Sequence, residues 1–140
     1  MAERDVPEGL IPHRGRARLV QTILDDARTD VLVCGGRIPA DSAFAVSGHA
    51  PAVIVLELAA QAAAVQQALA GKAGDPARPG YLVAVRAATV RADVVAANVP
   101  LVATVRRTGQ AGPLATYDVT VTGPEGKEIL TATLSTHAGD

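Results

Sequence analysis

Apolar and polar positions alternate with a period of two over most of the second half of the chain. In the segment LATYDVTVT, residues 114–122, the side chains at 115, 117, 119 and 121 are apolar or aromatic, and each is followed by a threonine or an aspartate. This alternation is typical of strands that bury one face. It predicts strands at 81–95 (one long strand or a bent pair), 99–108, 114–122 and 127–136, with turns at 109–113 and 123–126.

Two more strands are predicted near the N-terminus. Residues 17–26 and 29–38 are rich in Val, Ile, Leu and Thr, which favour strands, and a short turn separates them. Residues 39–50 contain Pro, Asp, Ser and Gly and are predicted to form a loop. Residues 1–10 are predicted to form a loose leader.

Residues 51–70 have the composition of one long helix that is apolar on nearly every face. Ala, Leu, Glu and Gln dominate, and all four are good helix formers. Pro51 suits the first helical position, Gly71 suits the residue after the last turn, and a loop over 71–80 is expected to follow. A helix without a polar face indicates a buried element.

This order of elements predicts an α+β fold in a single domain over residues 1–140. A curved antiparallel sheet wrapped around the central helix would bury that helix on most sides. Hydrophobic residues make up 49% of the chain but aromatic residues only 2%, so the core has little buried area per residue. Dimerisation, with free sheet edges pairing, would bury more surface.

Composition argues against several classes of function. The 13 basic and 14 acidic residues nearly cancel and form no basic patch, so we expect no nucleic-acid partner. The first residues lack the apolar core of a signal peptide, and polar residues interrupt the longest apolar run, so we expect a cytoplasmic protein without a membrane span. Cys34 is predicted to be a buried, inert thiol. Three histidines and this cysteine predict no metal site, and no phosphate-binding loop or nucleophile elbow is present.

Glu57 and His49 are the strongest candidates for chemistry, because a carboxyl and an imidazole stand at the start of an apolar helix. Burial would raise the pKa of Glu57, as a general acid near neutral pH requires. Alternatively, the first turn is open to water and Glu57 simply favours the positive end of the helix. His49 is predicted to lie in a loop, as an acid, a base or an ordinary surface histidine.

Three further positions could support such a site. Free backbone N–H groups near Ala52 and Val53 could polarise a carbonyl oxygen. Gln61 follows Glu57 by one helical turn and could orient its carboxyl or satisfy a polar position in the core. His13 is assigned a structural hydrogen-bonding role, and His137, expected at a frayed end, is assigned none.

Short motifs over about residues 11–136 resemble the β-hydroxyacyl-acyl carrier protein dehydratases of fatty acid synthesis. That family has a Leu-Pro-His-Arg segment leading into a strand, a phenylalanine shortly before Gly-His, and a helix with Glu followed by Ala-Gln. The matching segments here are IPHR at 11–14, AFAVSGHAP at 43–51, with Phe44 before Gly48-His49, and ELAAQ at 57–61. The resemblance implies the hot-dog fold, a long helix wrapped by a curved antiparallel sheet and usually dimeric.

The chain differs from that family in the loop after Gly-His. The loop is shorter here, with Pro51 and Ala52 where the family has Pro-Gly. This short form is similar to the dehydratase-like proteins of aryl polyene clusters. The resemblance implies that His49 is the base, that Glu57 of the other subunit, kept neutral by burial, protonates the leaving hydroxyl, and that the N–H of Ala52 binds the thioester oxygen.

The activity implied is elimination of water from a 3-hydroxyacyl thioester to a trans-2-enoyl thioester in fatty acid, polyene or polyketide-type synthesis. No cofactor is implied, because the substrate is carried on the phosphopantetheine of an acyl carrier protein or of coenzyme A. The expected assembly is a homodimer, an oligomer of dimers, or a heterodimer with a related subunit. Two alternatives stay open: a non-catalytic hot-dog subunit that binds acyl carrier protein or acyl chains, and an acyl-thioesterase in which Glu57 activates water.

Overall fold

A computed structural model describes residues 3–70 and 80–138 of the chain. Gly71 and most of the predicted loop over 71–80 lie outside the described residues. The one α-helix described is α1 (Val55–Ala70). The strands are β1 (Arg4–Asp5), β2 (Val20–Asp25), β3 (Val31–Gly36), β4 (His49–Pro51), β5 (Gly80–Val90), β6 (Val94–Ala96), β7 (Leu101–Ala111), β8 (Leu114–Thr122) and β9 (Glu128–Ala138).

Seven of these strands form one antiparallel sheet, in the order β1-β2-β3-β7-β8-β9-β5. The remaining two, β4 and β6, pair with each other in a small separate sheet. Helix α1 packs on the central strands β3, β7 and β8 of the large sheet. The predicted α+β architecture, one long helix against an antiparallel sheet, is therefore confirmed.

The period-two pattern locates the last three strands of the sheet closely. β8 spans the predicted residues 114–122, and its alternate side chains Ala115, Tyr117, Val119 and Val121 are buried. β7 runs beyond its predicted end to Ala111, because a register shift at Gly109 lets the pairing with β8 continue. The turn predicted at 109–113 is therefore reduced to two residues. His137 lies within β9 and not at a frayed end.

Residues 81–95, predicted as one long strand or a bent pair, form two strands, β5 and β6, which belong to different sheets. Two other predictions about secondary structure were wrong. Residues 49–51, predicted as loop, form β4. The predicted loose leader is tied to the sheet, because β1 pairs with β2 and Val6 is buried beside it.

The central helix begins with a 3₁₀ turn over Ala52–Ile54 and continues as α1. One face packs on the sheet through small and branched side chains, among them Val55, Leu58 and Ala62. The expectation that the helix is buried on most sides was wrong for the single chain. The opposite face stays open, and we call it the open helix face: exposed Val53, with partly buried Leu56, Ala60 and Ala64.

The segment Ala52–Ala70 is long and apolar enough to cross a membrane on length and composition alone. Half of its most apolar window is buried inside the fold, and the core helix of a globular protein meets the same criterion. Cys34 is buried in β3, and burial raises the pKa of its thiol to about 12. The prediction of a buried thiol there is confirmed, and a raised pKa disfavours the reactive thiolate.

Candidate active site

Gln61 connects the helix to the chain that enters the first long strand. Its side chain is buried, and its Oε1 accepts hydrogen bonds from the backbone N–H groups of Leu19 (2.7 Å) and Val20 (3.1 Å). Its Nε2 donates to the carbonyl of Ala17 (2.7 Å) and to Oε1 of Glu57 (3.0 Å). Both functions considered for Gln61 therefore hold: it satisfies polar groups in the core and it orients the Glu57 carboxyl.

His13 lies against the same carboxyl. Its Nε2 is 3.3 Å from Oε1 of Glu57, and its ring is 30% exposed. The structure thus brings together three of the predicted site residues, His13, Glu57 and Gln61. The contact between His13 and Glu57 was not predicted, because no helical or strand spacing relates residues 44 positions apart; only the IPHR motif singled out this histidine.

The side chain of Glu57 is 50% exposed, which agrees with the alternative that the first turn of the helix is open to water. The hydrogen bond from His13 holds the pKa of Glu57 below its ordinary value of 4.5, and the hydrogen bond from Gln61 acts in the same direction. Partial burial opposes both but does not outweigh them. The expectation of a carboxyl kept neutral by burial was therefore wrong for the single chain, in which Glu57 is a carboxylate at neutral pH.

His49 is positioned by a tight turn. Ser47 (φ 52°) and Gly48 (φ 80°) both have positive φ, as the two central residues of a type I′ turn require. Val46 and His49 close the turn with two backbone hydrogen bonds of 2.7 and 3.1 Å. His49 Nδ1 lies 3.1 Å from the carbonyl of Ser47. With the proton on Nδ1 donated to that carbonyl, Nε2 carries the lone pair and is able to act as a base.

The role assigned to the N–H of Ala52 was wrong. Ala52 is buried, and its N–H donates to the carbonyl of Asp93 at 2.9 Å. This bond joins the helix start to the segment that leads into β6. The next residue, Val53, is exposed, and its N–H lies in the first turn of the helix, where no earlier turn supplies an acceptor. Val53 therefore replaces Ala52 as the candidate donor.

Exposed apolar side chains lie close in the chain to His49 and the helix start, or pair with this segment. Phe44, Val46, Val53 and Val94 are all exposed. Val46 and Val94 belong to the small β-structure around β4, since Val46 bridges to His49 and Val94 pairs with Pro51. An exposed apolar cluster of this kind indicates a surface that another molecule covers.

The strand β5 also exposes apolar side chains. Among the strands of the described residues it lies at the edge of the large sheet, next to β9, and it carries the exposed side chains Leu82, Val83, Val85 and Val90. Long apolar edge strands are usually covered, because their unpaired backbone groups invite a further strand. In the described ranges 3–70 and 80–138, no group of three His, Cys, Asp or Glu side chains could hold a metal ion.

The chain is similar to known dehydratases. The ApeP-like family, described as ApeP dehydratase, matches residues 6–140. Among solved structures, the chain is similar to the dehydratase heterocomplex ApeI:P from Xenorhabdus doucetiae, with a TM-score of 0.85 and 18% identity over 98% of this chain and 92% of that chain. A comparison with curated proteins gives no significant match.

Thioesterases share the architecture at a greater distance. A hypothetical thioesterase with coenzyme A from Streptococcus pneumoniae has a TM-score of 0.60 and 16% identity, covering 83% of each chain. A mutant thioesterase from Pseudomonas aeruginosa has a TM-score of 0.62 and 14% identity over 86% of this chain and 81% of that chain. The predicted hot-dog fold is confirmed by these likenesses, which at such identities concern the fold alone.

Proposed function

The chain belongs to the ApeP-like family of dehydratases, and from this premise we propose that it removes water from a 3-hydroxyacyl thioester to give a trans-2-enoyl thioester. The observation that carries the proposal is the Glu57 carboxyl, held on one oxygen by His13 and Gln61 and half exposed beside an apolar surface. An oriented carboxyl next to an apolar surface suits proton transfer to an acyl substrate.

The elimination needs one base and one acid. The Nε2 of His49 takes the proton from the carbon α to the thioester, and that electron pair becomes the Cα=Cβ double bond. The C–O bond at the β-carbon breaks, and the hydroxyl leaves as water with a proton from Glu57. The N–H of Val53 would stabilise the negative charge on the thioester oxygen, and one such donor contributes about 3 kcal/mol.

A partner subunit would supply the conditions that this acid needs. In the single chain Glu57 is ionised and half exposed. A protein surface and an acyl chain that cover Glu57 would remove water from it, and this desolvation raises a carboxyl pKa. We therefore propose that Glu57 becomes a proton donor only in the assembled, substrate-bound complex, where it meets the catalytic base of the neighbouring subunit, which is His49 if the complex is a homodimer.

The open helix face and the edge of β5 are the surfaces that we assign to this partner. The similar dehydratase from Xenorhabdus doucetiae is a heterocomplex. By analogy, we propose a heterodimer with a related hot-dog subunit, with a homodimer as the alternative. The substrate would be carried on the phosphopantetheine of an acyl carrier protein or coenzyme A in the cytoplasm, and no cofactor would be needed.

The test is turnover by the chain purified together with a related hot-dog subunit of its own genome. A 3-hydroxyacyl thioester should give the enoyl product. In the heterodimer His49 and Glu57 of this chain belong to different sites, so each of His49→Ala and Glu57→Gln should inactivate one site, and the variant carrying both should lower kcat/KM by roughly 10²–10⁴-fold. His137→Ala is the matched control, because His137 lies in β9, paired with Leu114, and should leave the rate unchanged. Full activity in both site variants would show that this chain is a non-catalytic subunit.

An acyl-thioesterase is the second candidate, and one observation favours it. The lowered pKa of Glu57 leaves a carboxylate, which is the form that activates a water molecule. A saturated acyl thioester distinguishes the two reactions, because hydrolysis releases a free thiol whereas dehydration cannot occur on it. Release of thiol at a rate above that of enoyl formation would favour the thioesterase.

A further inference from the structure

Two hydrogen-bond donors converge on the same oxygen of Glu57. Oε1 lies 3.0 Å from Nε2 of Gln61 and 3.3 Å from Nε2 of His13. The second oxygen, Oε2, has no hydrogen-bond donor among residues 3–70 and 80–138. We propose that His13 is a positioning residue for the reaction, which with Gln61 holds Oε1 of Glu57 so that Oε2 alone is presented to the substrate.

We call His13 and Gln61, which both lie against Oε1 of Glu57, the carboxyl clamp. Gln61 is the rigid member of this clamp. Its amide is held by two backbone N–H groups and one backbone carbonyl, of Leu19, Val20 and Ala17, so it is not free to follow the carboxyl. A second donor on the same oxygen therefore restricts the rotation of the carboxyl about its last bond. Correct placement of a reacting group matters because a misplacement of about 1 Å costs roughly 10²-fold in rate.

The His13 ring makes its polar contact with Glu57 through Nε2. Its other nitrogen, Nδ1, is buried and has no hydrogen-bond partner within the described residues. In the tautomer that carries its proton on Nε2, the His13 ring donates a hydrogen bond to the negatively charged carboxylate of Glu57. The other nitrogen, Nδ1, is then an acceptor. The Glu57 contact is therefore the polar interaction that orients this ring.

The clamp has a consequence that is measurable without turnover. Two side chains contact the Glu57 carboxyl within the described part of the chain. His13 is titratable, and Gln61 is neutral. The hydrogen bond from His13 is the largest influence that lowers the pKa of Glu57. Its loss should therefore raise the pH at which Glu57 titrates, whatever reaction the protein catalyses.

The test uses His13→Ala and His13→Gln in the full chain with its partner subunit. The amide Nε2 of glutamine reaches about as far as Nε2 of histidine, so His13→Gln keeps a donor on Oε1. Carbon-13 NMR of the Glu57 carboxyl, assigned by its absence in Glu57→Gln, gives the titration midpoint. We expect His13→Ala to raise that midpoint and to lower kcat by about tenfold or more with KM nearly unchanged, and His13→Gln to restore both.

This inference rests on the proposed function, but different experimental results would overturn the positioning role of His13 and the proposed reaction. An unchanged midpoint in His13→Ala, or kcat equal to that of the wild type, overturns the positioning role. A raised midpoint in a protein that dehydrates no thioester leaves the contact established and overturns the proposed reaction. Should His13→Ala fail to fold, His13→Asn gives the same comparison, because its shorter amide does not reach the carboxyl.

Discussion

At the scale of single residues, two buried glutamines on α1 differ in what surrounds them. Gln61 satisfies four polar groups, on Ala17, Leu19, Val20 and Glu57. Neither amide atom of Gln66 has a hydrogen-bond partner in the part of the chain that the structure describes. The two side chains have the same chemistry and similar burial and differ in their hydrogen bonds. Comparing substitutions of the two therefore separates the contribution of hydrogen bonding to stability from that of burying a polar group.

Gln61→Leu should destabilise the protein by about 2–4 kcal/mol, because the buried N–H groups of Leu19 and Val20 would lose their acceptor and each costs about 1–3 kcal/mol. Gln66→Leu, the matched control, should be neutral or stabilising, since it replaces an unpaired polar group with an apolar one of similar size. Urea denaturation monitored by circular dichroism measures both. Equal losses in the two variants would contradict the assigned role of Gln61.

At the scale of elements, the close approach of β3 to the helix and to β2 depends on Gly36. A Cβ atom at Gly36 would lie 2.5 Å from the carbonyl oxygen of Leu19 and 2.7 Å from Cδ1 of Leu58. The first of these atoms belongs to the backbone and cannot turn away. The lack of a side chain at Gly36 therefore allows this part of the sheet to contact the helix.

Gly36→Ala should lower the free energy of unfolding by about 1–3 kcal/mol through overpacking. Gly109→Ala is the control in another strand, since a Cβ there would meet nothing within 4 Å. Thermal denaturation should show a lower Tm for the first variant and a Tm near that of the wild type for the second. A Gly36→Ala protein with unchanged Tm would show that β3 shifts without cost.

The element pattern was predictable where strands were long and half buried. β8 was predicted to the residue, because its nine residues alternate between core and solvent. The three-residue strand β4 was not predicted, because it is too short to show a period, and β6 was predicted only as the end of the strand or bent pair over 81–95. The pattern also could not predict that residues 81–95 divide between two sheets. A period of two shows which face of a strand is buried, but not which sheet the strand joins.

At the scale of the whole molecule, the exposed edge of β5 and the open helix face are the surfaces to which we assign a partner. Val83 projects from β5 and is exposed in the single chain. Val83→Lys should weaken association with the partner subunit at least about tenfold, because a buried lysine without a counter-charge costs more than 1.4 kcal/mol. Sedimentation of the complex at several concentrations measures this change.

Leu114→Lys is the control for that experiment. Leu114 is also exposed and apolar, but it lies at the β7–β8 hairpin, two strands away from β5 in the sheet order. It should leave association unchanged, and circular dichroism should show both variants folded. Equal weakening by the two lysines would place the partner somewhere other than at β5.

The sequence by itself determined the α+β class, the single central helix, the antiparallel strands and the placement of Glu57 and Gln61 one turn apart on one face of the helix. These features depend on local periodicity, helix propensity and one-turn spacing. All three can be read within a short segment of the sequence, without knowing what that segment packs against. Only the tertiary structure decided that His13 meets Glu57, that Asp93 occupies the N–H of Ala52, and that the carboxyl is ionised. Those outcomes depend on distances between segments far apart in the chain, and on how much water reaches each group, which no linear pattern records.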